Sequence, residues 1–283
     1  DFSYKVYGET KNIRAVMNLF AAEKYRMAGA GPKLAEAVFG QDGYILVSSY
    51  NDAAQKLYRH FRKNLKEAGN LNRYMAVLEE HRLLEGFKAP PTFILPPQAE
   101  GGKESPIEVG VLSEVGQEFD EFWAEARGRY PVTIERSAEY LNWRFINHPV
   151  FKYEFLAARR GGRLAGFLIY RFEESGDFKI GRIIDFVAAP EAEIALFAAF
   201  LGASKAAGAQ VTDFMFSGSI YKESLIESGF FDIKGTDFER FPIRFNPISD
   251  KKLYINIAYD IEALLVDFYL TKADSDQDRP NPH

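Results

Sequence analysis

The sequence contains no cysteine, and this absence excludes disulfide bonds and thiolate metal sites. It is typical of proteins of a reducing compartment, so we expect a cytoplasmic location. The sequence also lacks any run of about 18 or more apolar residues, so it offers no candidate membrane-spanning helix. The chain begins at Asp1 without Met and without a signal-like segment, which indicates a fragment or a processed form.

Basic residues are fewer than acidic residues. The chain has 35 Lys and Arg against 40 Asp and Glu, a formal net charge of −5. Nucleic-acid binding requires a surplus of cations to neutralise phosphates, so we expect no nucleic-acid partner. The 4 histidines show no spacing typical of a metal site, and no metal site is predicted.

The chain does contain a regular series of apolar runs, and these predict an α/β (α+β) protein. The first part predicts, in order, a strand over 13–22, a glycine turn and short helix, a strand over 44–50, a helix over 51–69 and a strand over 72–80. The first crossover should be right-handed and should join parallel strands. A hairpin over 153–174, a strand over 181–189 and a helix over 191–209 are the clearest elements of the second part.

A segment rich in proline and glycine divides these two parts, and it reads as a linker. The sequence therefore predicts an N-terminal domain over 1–86, a linker over 87–106, a second domain over 107–272 and a polar tail over 273–283. The acidic residues of that tail are expected to be exposed and loosely ordered.

The two parts look like copies of one unit, because 13–61 and 181–230 run through the same elements with similar spacing. The copies differ at the turn between their first strand and helix. The first copy has "RMAGAG", from Arg26 to Gly31, whereas the second has "APEAEIALF" without glycine. Glycines lack a Cβ, so only the first copy can bring backbone amides close to a ligand there.

The pattern Arg26-x-x-Gly29-x-Gly31, between an apolar strand and a helix, resembles the acyl-CoA-binding motif of the GNAT acyltransferases. The segment from Asn51 to Tyr58 is similar to that family's Asn-x-x-Ala-x-x-x-Tyr segment. The resemblance covers about Ile13 to Leu78. It implies two GNAT-like domains, each with a mixed, partly antiparallel sheet flanked by helices, the second with a degenerate motif.

The resemblance also implies a donor, acetyl-CoA or another acyl-CoA, and the residues that would bind it. Backbone amides of the turn would hold the pyrophosphate, and those of the preceding strand would polarise the thioester carbonyl. The turn residues are Arg26, Met27, Ala28, Gly29, Ala30 and Gly31, and the strand residues are Leu19, Phe20 and Ala21. Asn51 would hydrogen-bond the pantetheine arm, and Tyr58 would be the general acid that returns a proton to the CoA thiolate.

Tyr58 also has a position that suits this role. It lies about 100° around the helix from the apolar stripe of Leu57, Phe61 and Leu65, so we predict that it faces a pocket rather than the core. Three simpler interpretations stay open: a tight structural turn at Gly29 and Gly31, a helix cap at Asn51 and a packing tyrosine at position 58.

The resemblance implies acyl transfer by direct attack of a small-molecule amine, such as an amino sugar, on the thioester. The tail "YLTKADSDQDRPN" resembles tandem GNAT-like proteins of bacterial surface-polysaccharide loci. Two other functions stay open: a non-catalytic acyl-CoA-binding module, and a Fem-type aminoacyl transferase, which the net charge of −5 disfavours. The family places further strands before the motif strand. The chain is therefore truncated there, or another segment supplies that wall. The acyl chain, the acceptor, the general base and the oligomeric state are not encoded in any recognisable pattern.

Overall fold

The computed structural model describes residues 2–16, 22–26, 28–88, 107–245, 248–249, 254–274 and 278. Across these residues, the helices are all too short or too polar to cross a membrane. The first part of the chain forms β1 (Phe2–Val6), β2 (Glu9–Val16), α1 (Glu23–Arg26), α2 (Ala30–Phe39), β3 (Tyr44–Ser48), α3 (Asp52–Phe61), β4 (Lys66–Asn70) and β5 (Asn72–Val77).

The second part begins with β6 (Ile107–Leu112), α4 (Gln117–Ala126), β7 (Val132–Ile134), α5 (Ala138–Leu141), β8 (Glu154–Arg160), β9 (Arg163–Ser175) and β10 (Phe178–Ala188). It continues with α6 (Pro190–Ala206), β11 (Val211–Phe216), α7 (Lys222–Glu227), β12 (Phe231–Asp232), β13 (Arg244–Phe245), β14 (Ile248–Ser249), β15 (Asn256–Tyr259) and β16 (Phe268–Tyr269). Asn142–Ile146 extends α5 as a short π-helix.

The described strands form two seven-stranded sheets and a two-stranded ribbon of β13 and β14. The first sheet has the order β16-β7-β1-β2-β3-β15-β4, and the second has the order β12-β5-β11-β10-β9-β8-β6. Both sheets mix parallel and antiparallel pairs and carry helices on their faces. The predicted α/β (α+β) class with two mixed, partly antiparallel sheets is confirmed.

The two sheets are built around the same supersecondary unit. In the first, the antiparallel hairpin β1–β2 leads through α2 to β3, which lies parallel to β2 in the register Ile13 to Tyr44. In the second, the antiparallel hairpin β9–β10 leads through α6 to β11, which lies parallel to β10 in the register Arg182 to Asp213. The parallel pairing predicted for the first crossover is therefore present in both copies.

The strands that follow each unit exchange sheets. β5 pairs with β11 and β12 of the second sheet, while β15 pairs with β3 and β4 of the first. The expectation that 72–80 completes the first unit is wrong, because an apolar run indicates a buried strand without indicating its neighbours. The boundaries 1–86 and 107–272 stay a prediction, and each sheet contains strands from both sides of them.

The first sheet also receives strands from the second part of the chain on its other side. β7 pairs antiparallel with β1, and β16 pairs parallel with β7. The N–H of Tyr7 donates to the carbonyl of Pro131 at 2.6 Å and continues this pairing beyond the strand. Strands from elsewhere in the chain, β7 and β16, therefore supply part of the sheet that the family builds from strands before the motif strand.

Two further expectations are wrong. The helix predicted over 51–69 ends at Phe61, because Arg62 leaves the helical region with φ −129° and ψ 83°, and a short strand follows. The tail is not wholly exposed, because Asp274 and Asp278 are 3% and 1% exposed. Their carboxylates pair with Arg136 and Arg171 at 2.9 Å and 2.8 Å, and these buried guanidinium groups offset the cost of burying the acids.

Candidate functional site

The glycine turn lies directly before α2, at the end of the sheet where the parallel strand β2 leads into the helix. Gly29 is the N-cap of α2 and has φ 75° and ψ 18°, a left-handed conformation that disfavours residues with a Cβ. No side chain caps the helix. The first N–H groups of a helix have no intrahelical acceptor, so they carry the positive end of the helix dipole at this turn.

Among the described residues, nothing fills the space in front of the turn. A Cβ built on Gly29 or on Gly31 would meet no heavy atom of these residues within 4 Å. Gly31 does not need a left-handed conformation, and it is therefore not explained by backbone strain. Pro32 has no N–H, and the N–H of Lys33 donates to the carbonyl of Gly29 at 3.3 Å. Ala30 and Gly31 therefore supply the helix N–H groups without an intrahelical acceptor. Such N–H groups at an uncapped helix start can bind phosphate.

Asn51 is the N-cap of α3, and its side-chain oxygen accepts from the N–H of Ala54 at 2.8 Å. The helix-cap interpretation is therefore confirmed. Asn51 is exposed, and the NH₂ group of its side chain remains available as a donor toward a ligand. Because α2 and α3 each follow one of two neighbouring parallel strands, Asn51 and the glycine turn lie at the same end of the sheet.

Tyr58 lies two turns further along α3 and is 7% exposed. Its ring stacks on Phe39 of α2 at 4.4 Å between centroids and meets the edge of Tyr50 at 6.5 Å. The prediction that Tyr58 faces a pocket rather than the core is wrong for its ring, because α2 packs on that side of α3. Tyr58 is seven residues from Asn51, or about 10 Å along the helix. Because Phe39 is the last residue of α2, its stacking with Tyr58 places Tyr58 at the opposite end of α2 from the glycine turn.

The environment of Tyr58 keeps its hydroxyl group protonated. Desolvation by burial raises the pKa of Tyr58 above 10.0, and burial with the charge of Glu67 raises the pKa of Tyr50 to about 12. No hydrogen bond joins the Tyr58 hydroxyl to another described residue. Tyr58 can therefore donate a proton at neutral pH, although the pKa shift makes it a weaker acid.

Residue 49, which directly follows β3, is a polar group that sequence reasoning missed. Ser49 adopts φ 59°, unusual for a residue other than glycine, and its buried Oγ has no hydrogen-bond partner. The N–H of Ser49 donates to the carbonyl of Asn256 at 2.9 Å, and the N–H of Tyr50 donates to Oδ1 of Asn256 at 3.1 Å. Strain and an orphaned hydroxyl group at the end of a parallel strand are typical of a ligand site. No sequence motif signals either feature.

A buried ion pair fixes the other end of α3. Nε of Arg62 donates to Oδ2 of Asp260 at 2.6 Å, and Nη1 of Arg62 donates to the carbonyl of Gln41 at 2.8 Å. Oδ1 of Asp260 accepts from the N–H of Ile45 at 2.7 Å. The pair ties α3 to β3 and to the end of β15, so it sets the position of the helix that carries Tyr58.

Several predicted site residues lie outside the described residues. These are Leu19, Phe20, Ala21 and Met27. Arg26 ends α1, and its backbone alone is described, whereas Ala28 is exposed and Ala30 is half-buried. The structure thus describes the glycine turn and both α3 residues, and the carbonyl-polarising role of 19–21 stays a prediction.

The second copy has a different helix start. α6 begins at Pro190 and carries Glu191 and Glu193 in its first turn. Glu193 is buried and accepts from Arg129 at 2.8 Å. These carboxylates already occupy the positive end of the α6 dipole, so an added phosphate would be repelled. The first copy alone of the two has a helix start suited to an anion. Among the described residues, no cluster of three or more His, Asp or Glu side chains could hold a metal ion.

Comparison with known proteins places the fold. No family model matches the chain, and no curated protein matches it. A crystal structure of a conserved protein from Enterococcus faecalis V583, described as "Probable N-Acyltransferase", is 12% identical with a TM-score of 0.56, over 90% of this chain and 56% of that one. A GCN5-related N-acetyltransferase from Anabaena variabilis ATCC 29413 is 14% identical with a TM-score of 0.56, over 90% of this chain and 57% of that one.

These similarities show the fold alone. The chain has the fold of the GCN5-related N-acetyltransferase (GNAT) superfamily, and it spans little more than half the length of either solved structure.

Proposed function

We propose that the chain is an acyl-CoA-dependent N-acyltransferase whose donor, acetyl-CoA or another acyl-CoA, binds at the start of α2. The observation that carries this proposal is the open, uncapped helix start at Gly29 to Gly31. The convergent N–H groups and the helix dipole favour a pyrophosphate there. An intracellular donor of this kind agrees with the expected cytoplasmic location.

The pantetheine arm would run from the turn along the end of the parallel strands. The exposed NH₂ of Asn51 and the orphaned Oγ of Ser49 both lie at that end, and both can hydrogen-bond an amide of the arm. Burying the Ser49 hydroxyl group without a partner is unfavourable, so a ligand that satisfies it would bind more tightly. The carbonyl-polarising role proposed for Leu19, Phe20 and Ala21 would complete this path.

The acyl group would pass by direct attack of an amine on the thioester, through a tetrahedral intermediate. Collapse of the intermediate would break the C–S bond as Tyr58 protonates the departing thiolate, and the proton that the attacking nitrogen loses would return through solvent to the Tyr58 phenolate. A phenol near pKa 10 and a thiol near 8.5 make this transfer uphill by about 2 kcal/mol, and burial of Tyr58 adds to that cost. The transfer therefore has to accompany bond cleavage in a desolvated site that also raises the pKa of the thiol.

The acceptor is proposed to be a small-molecule amine, an amino sugar among the candidates. A non-catalytic acyl-CoA-binding module is the second candidate function, and a specific observation favours it: the Tyr58 ring is packed against Phe39 rather than facing an open space. A Fem-type aminoacyl transferase is less favoured, since the net charge of −5 is a poor match for a tRNA donor.

Thioester cleavage by the wild type and by Tyr58→Phe, across a panel of amines, tests the proposal. For an enzyme we expect amine-dependent release of CoA, with turnover lowered roughly 100-fold or more in the variant and acyl-CoA affinity unchanged. Tyr50→Phe is the matched control, because it removes the neighbouring phenol. Acyl-CoA binding without amine-dependent cleavage in the wild type would instead establish the binding module.

A further inference from the structure

One face of the second sheet carries charged side chains where a core is expected to be apolar. They belong to four neighbouring strands: Arg171 and Glu173 on β9, Arg182 on β10, Asp213 on β11 and Arg73 on β5. All five side chains are at most 7% exposed. Burial of these charges costs desolvation free energy, which is offset where the charges are paired with one another or bind a ligand.

Most of the cluster is paired. Nε of Arg73 donates to Oδ2 of Asp213 at 2.9 Å, and Nη2 of Arg171 donates to Oε1 of Glu173 at 2.5 Å. Nε of Arg171 donates to Oδ1 of Asp278 at 2.8 Å. Each of these carboxylates thus already accepts a hydrogen bond from an arginine.

Arg182 forms ion pairs but no hydrogen bond. It is 0% exposed, and none of its three side-chain nitrogens has a hydrogen-bond partner. The nearest carboxylate oxygens, Oε2 of Glu173 and Oδ2 of Asp213, lie at 3.6 Å and 3.4 Å. A guanidinium group carries five N–H donors, so leaving all of them unsatisfied in the interior is costly.

Two further groups point to a ligand beside Arg182. Oδ1 of Asp213 is buried and also lacks a hydrogen-bond partner, so an unsatisfied acceptor lies near the unsatisfied donors of Arg182. Lys272 is 2% exposed, and it is close enough to Arg171, Glu173, Arg182 and Asp213 for their charges to affect it.

We propose that Arg182, Lys272 and Asp213 form a buried phosphate site, which takes inorganic phosphate or a small phosphate monoester that carries a proton. The oxygens of such a monoanion accept from Arg182 and Lys272, and its P–OH donates to Oδ1 of Asp213. A carboxylate has no hydrogen to donate to Asp213, so the site favours phosphate over acetate.

Aromatic rings cover the charged cluster on one side. The guanidinium carbon of Arg182 is 5.1 Å from the ring centre of Phe245, and that of Arg73 is 5.7 Å from the ring centre of Phe241. Both rings also line a cavity of about 250 Å³ at the surface. Movement of the Phe245 ring would connect this cavity to Arg182.

Lys272 supplies a second readout of binding. Burial and the charge of Arg182 lower its pKa to about 7, while Glu173 and Asp213 act in the opposite direction. A phosphate beside Lys272 would raise this pKa again. Binding at pH 8 should therefore make Lys272 take up a fraction of a proton, up to about one, and a phosphate that is a dianion at this pH takes up about one more to become the bound monoanion.

Titration calorimetry with inorganic phosphate, methyl phosphate and acetate, at pH 8 in buffers of different ionisation enthalpy, tests the site. For the wild type we expect saturable phosphate binding with proton uptake, and weaker acetate binding. Methyl phosphate binding as tightly as phosphate would identify a monoester site, and its exclusion would identify a site for the free ion.

Arg182→Met should weaken phosphate binding roughly 10- to 100-fold, since charge-assisted hydrogen bonds are lost. Lys272→Met should lower the proton uptake by up to about one per phosphate, to the uptake of the ligand alone, and it tests the site if Arg182→Met does not fold. Arg163→Met is the control, because Arg163 is an exposed arginine of the same sheet. No phosphate binding by the wild type, or equal affinity and equal proton uptake in the wild type and Lys272→Met, would overturn the proposal.

Discussion

Replacing Arg62 with Met should destabilise the protein far more than replacing a surface arginine on the same helix. Nε of Arg62 donates to Asp260 at 2.6 Å, and Nη1 donates to the carbonyls of Gln41 and Phe39 at 2.8 Å and 3.3 Å. Nη2 contacts the carbonyl of Gly43. The two side chains are 17% and 1% exposed, so the variant leaves a buried carboxylate without its cation.

The magnitude follows from these contacts. Breaking a buried ion pair costs about 3–5 kcal/mol, and we reduce this to about 2–4 kcal/mol because Arg62 is partly solvated. Asp260 also keeps its bond from the N–H of Ile45. The matched control is Arg59→Met, which breaks a pair with Glu67 whose side chains are 54% and 45% exposed. Such an exposed pair is worth at most about 1 kcal/mol.

Urea unfolding of the wild type and both variants, followed by circular dichroism, measures the difference. Adding Asp260→Asn to Arg62→Met should recover part of the loss, because it removes the unpaired charge. If Arg62→Met unfolds within about 0.5 kcal/mol of Arg59→Met, the pair does not hold α3 in place. The position of Tyr58 would then need another explanation.

The remaining predictions concern the glycine turn, Lys272 and the strand exchange. Gly29→Ala should lower the free energy of unfolding by about 1 kcal/mol because φ is 75°, whereas Gly31→Ala should leave it unchanged or raise it. Thermal unfolding that ranks the two variants in the opposite order would refute the assigned conformations. Between about pH 7 and 10.5 the unfolded chain binds the Lys272 proton and the folded chain does not, so this group should make the free energy of unfolding rise with pH. Lys272→Met should flatten that rise in phosphate-free urea titrations from about pH 7 to 9. An unchanged slope would contradict the lowered pKa of Lys272. Cleavage of the chain between residues 88 and 107 should leave two fragments that co-elute in native size-exclusion chromatography. The reason is that β5 of the first fragment pairs with β11 of the second, and β15 of the second pairs with β3 of the first. Fragments that separate without denaturant would refute the strand exchange.

Local signals predicted the repeated unit well. Glycine and proline positions marked the turn before α2, Asn51 marked the start of α3, and two glycines marked the β8–β9 hairpin. These features depend on residues within one turn or one helix, so a single sequence records them.

Features that depend on distant partners could not be predicted. Asp260 lies 198 positions from Arg62, and nothing near either residue identifies the other. β5 and β15 have the apolar pattern of central strands in either sheet, so the exchange is decided by long-range packing. The orientation of Tyr58 depends on where α2 packs, and the helical period of α3 alone does not contain that information.

The most direct test of the proposed function is titration calorimetry of the wild type and Gly31→Glu with acetyl-CoA and free CoA. Gly31 does not adopt a left-handed conformation and a Cβ there meets no described residue within 4 Å, so the variant should fold while placing a carboxylate at the start of α2. Gly31→Gln is the neutral control of the same size. The account predicts wild-type binding of both ligands that Gly31→Glu weakens at least about tenfold more than Gly31→Gln does. No binding by the wild type, or equal binding by Gly31→Glu and Gly31→Gln, would contradict it.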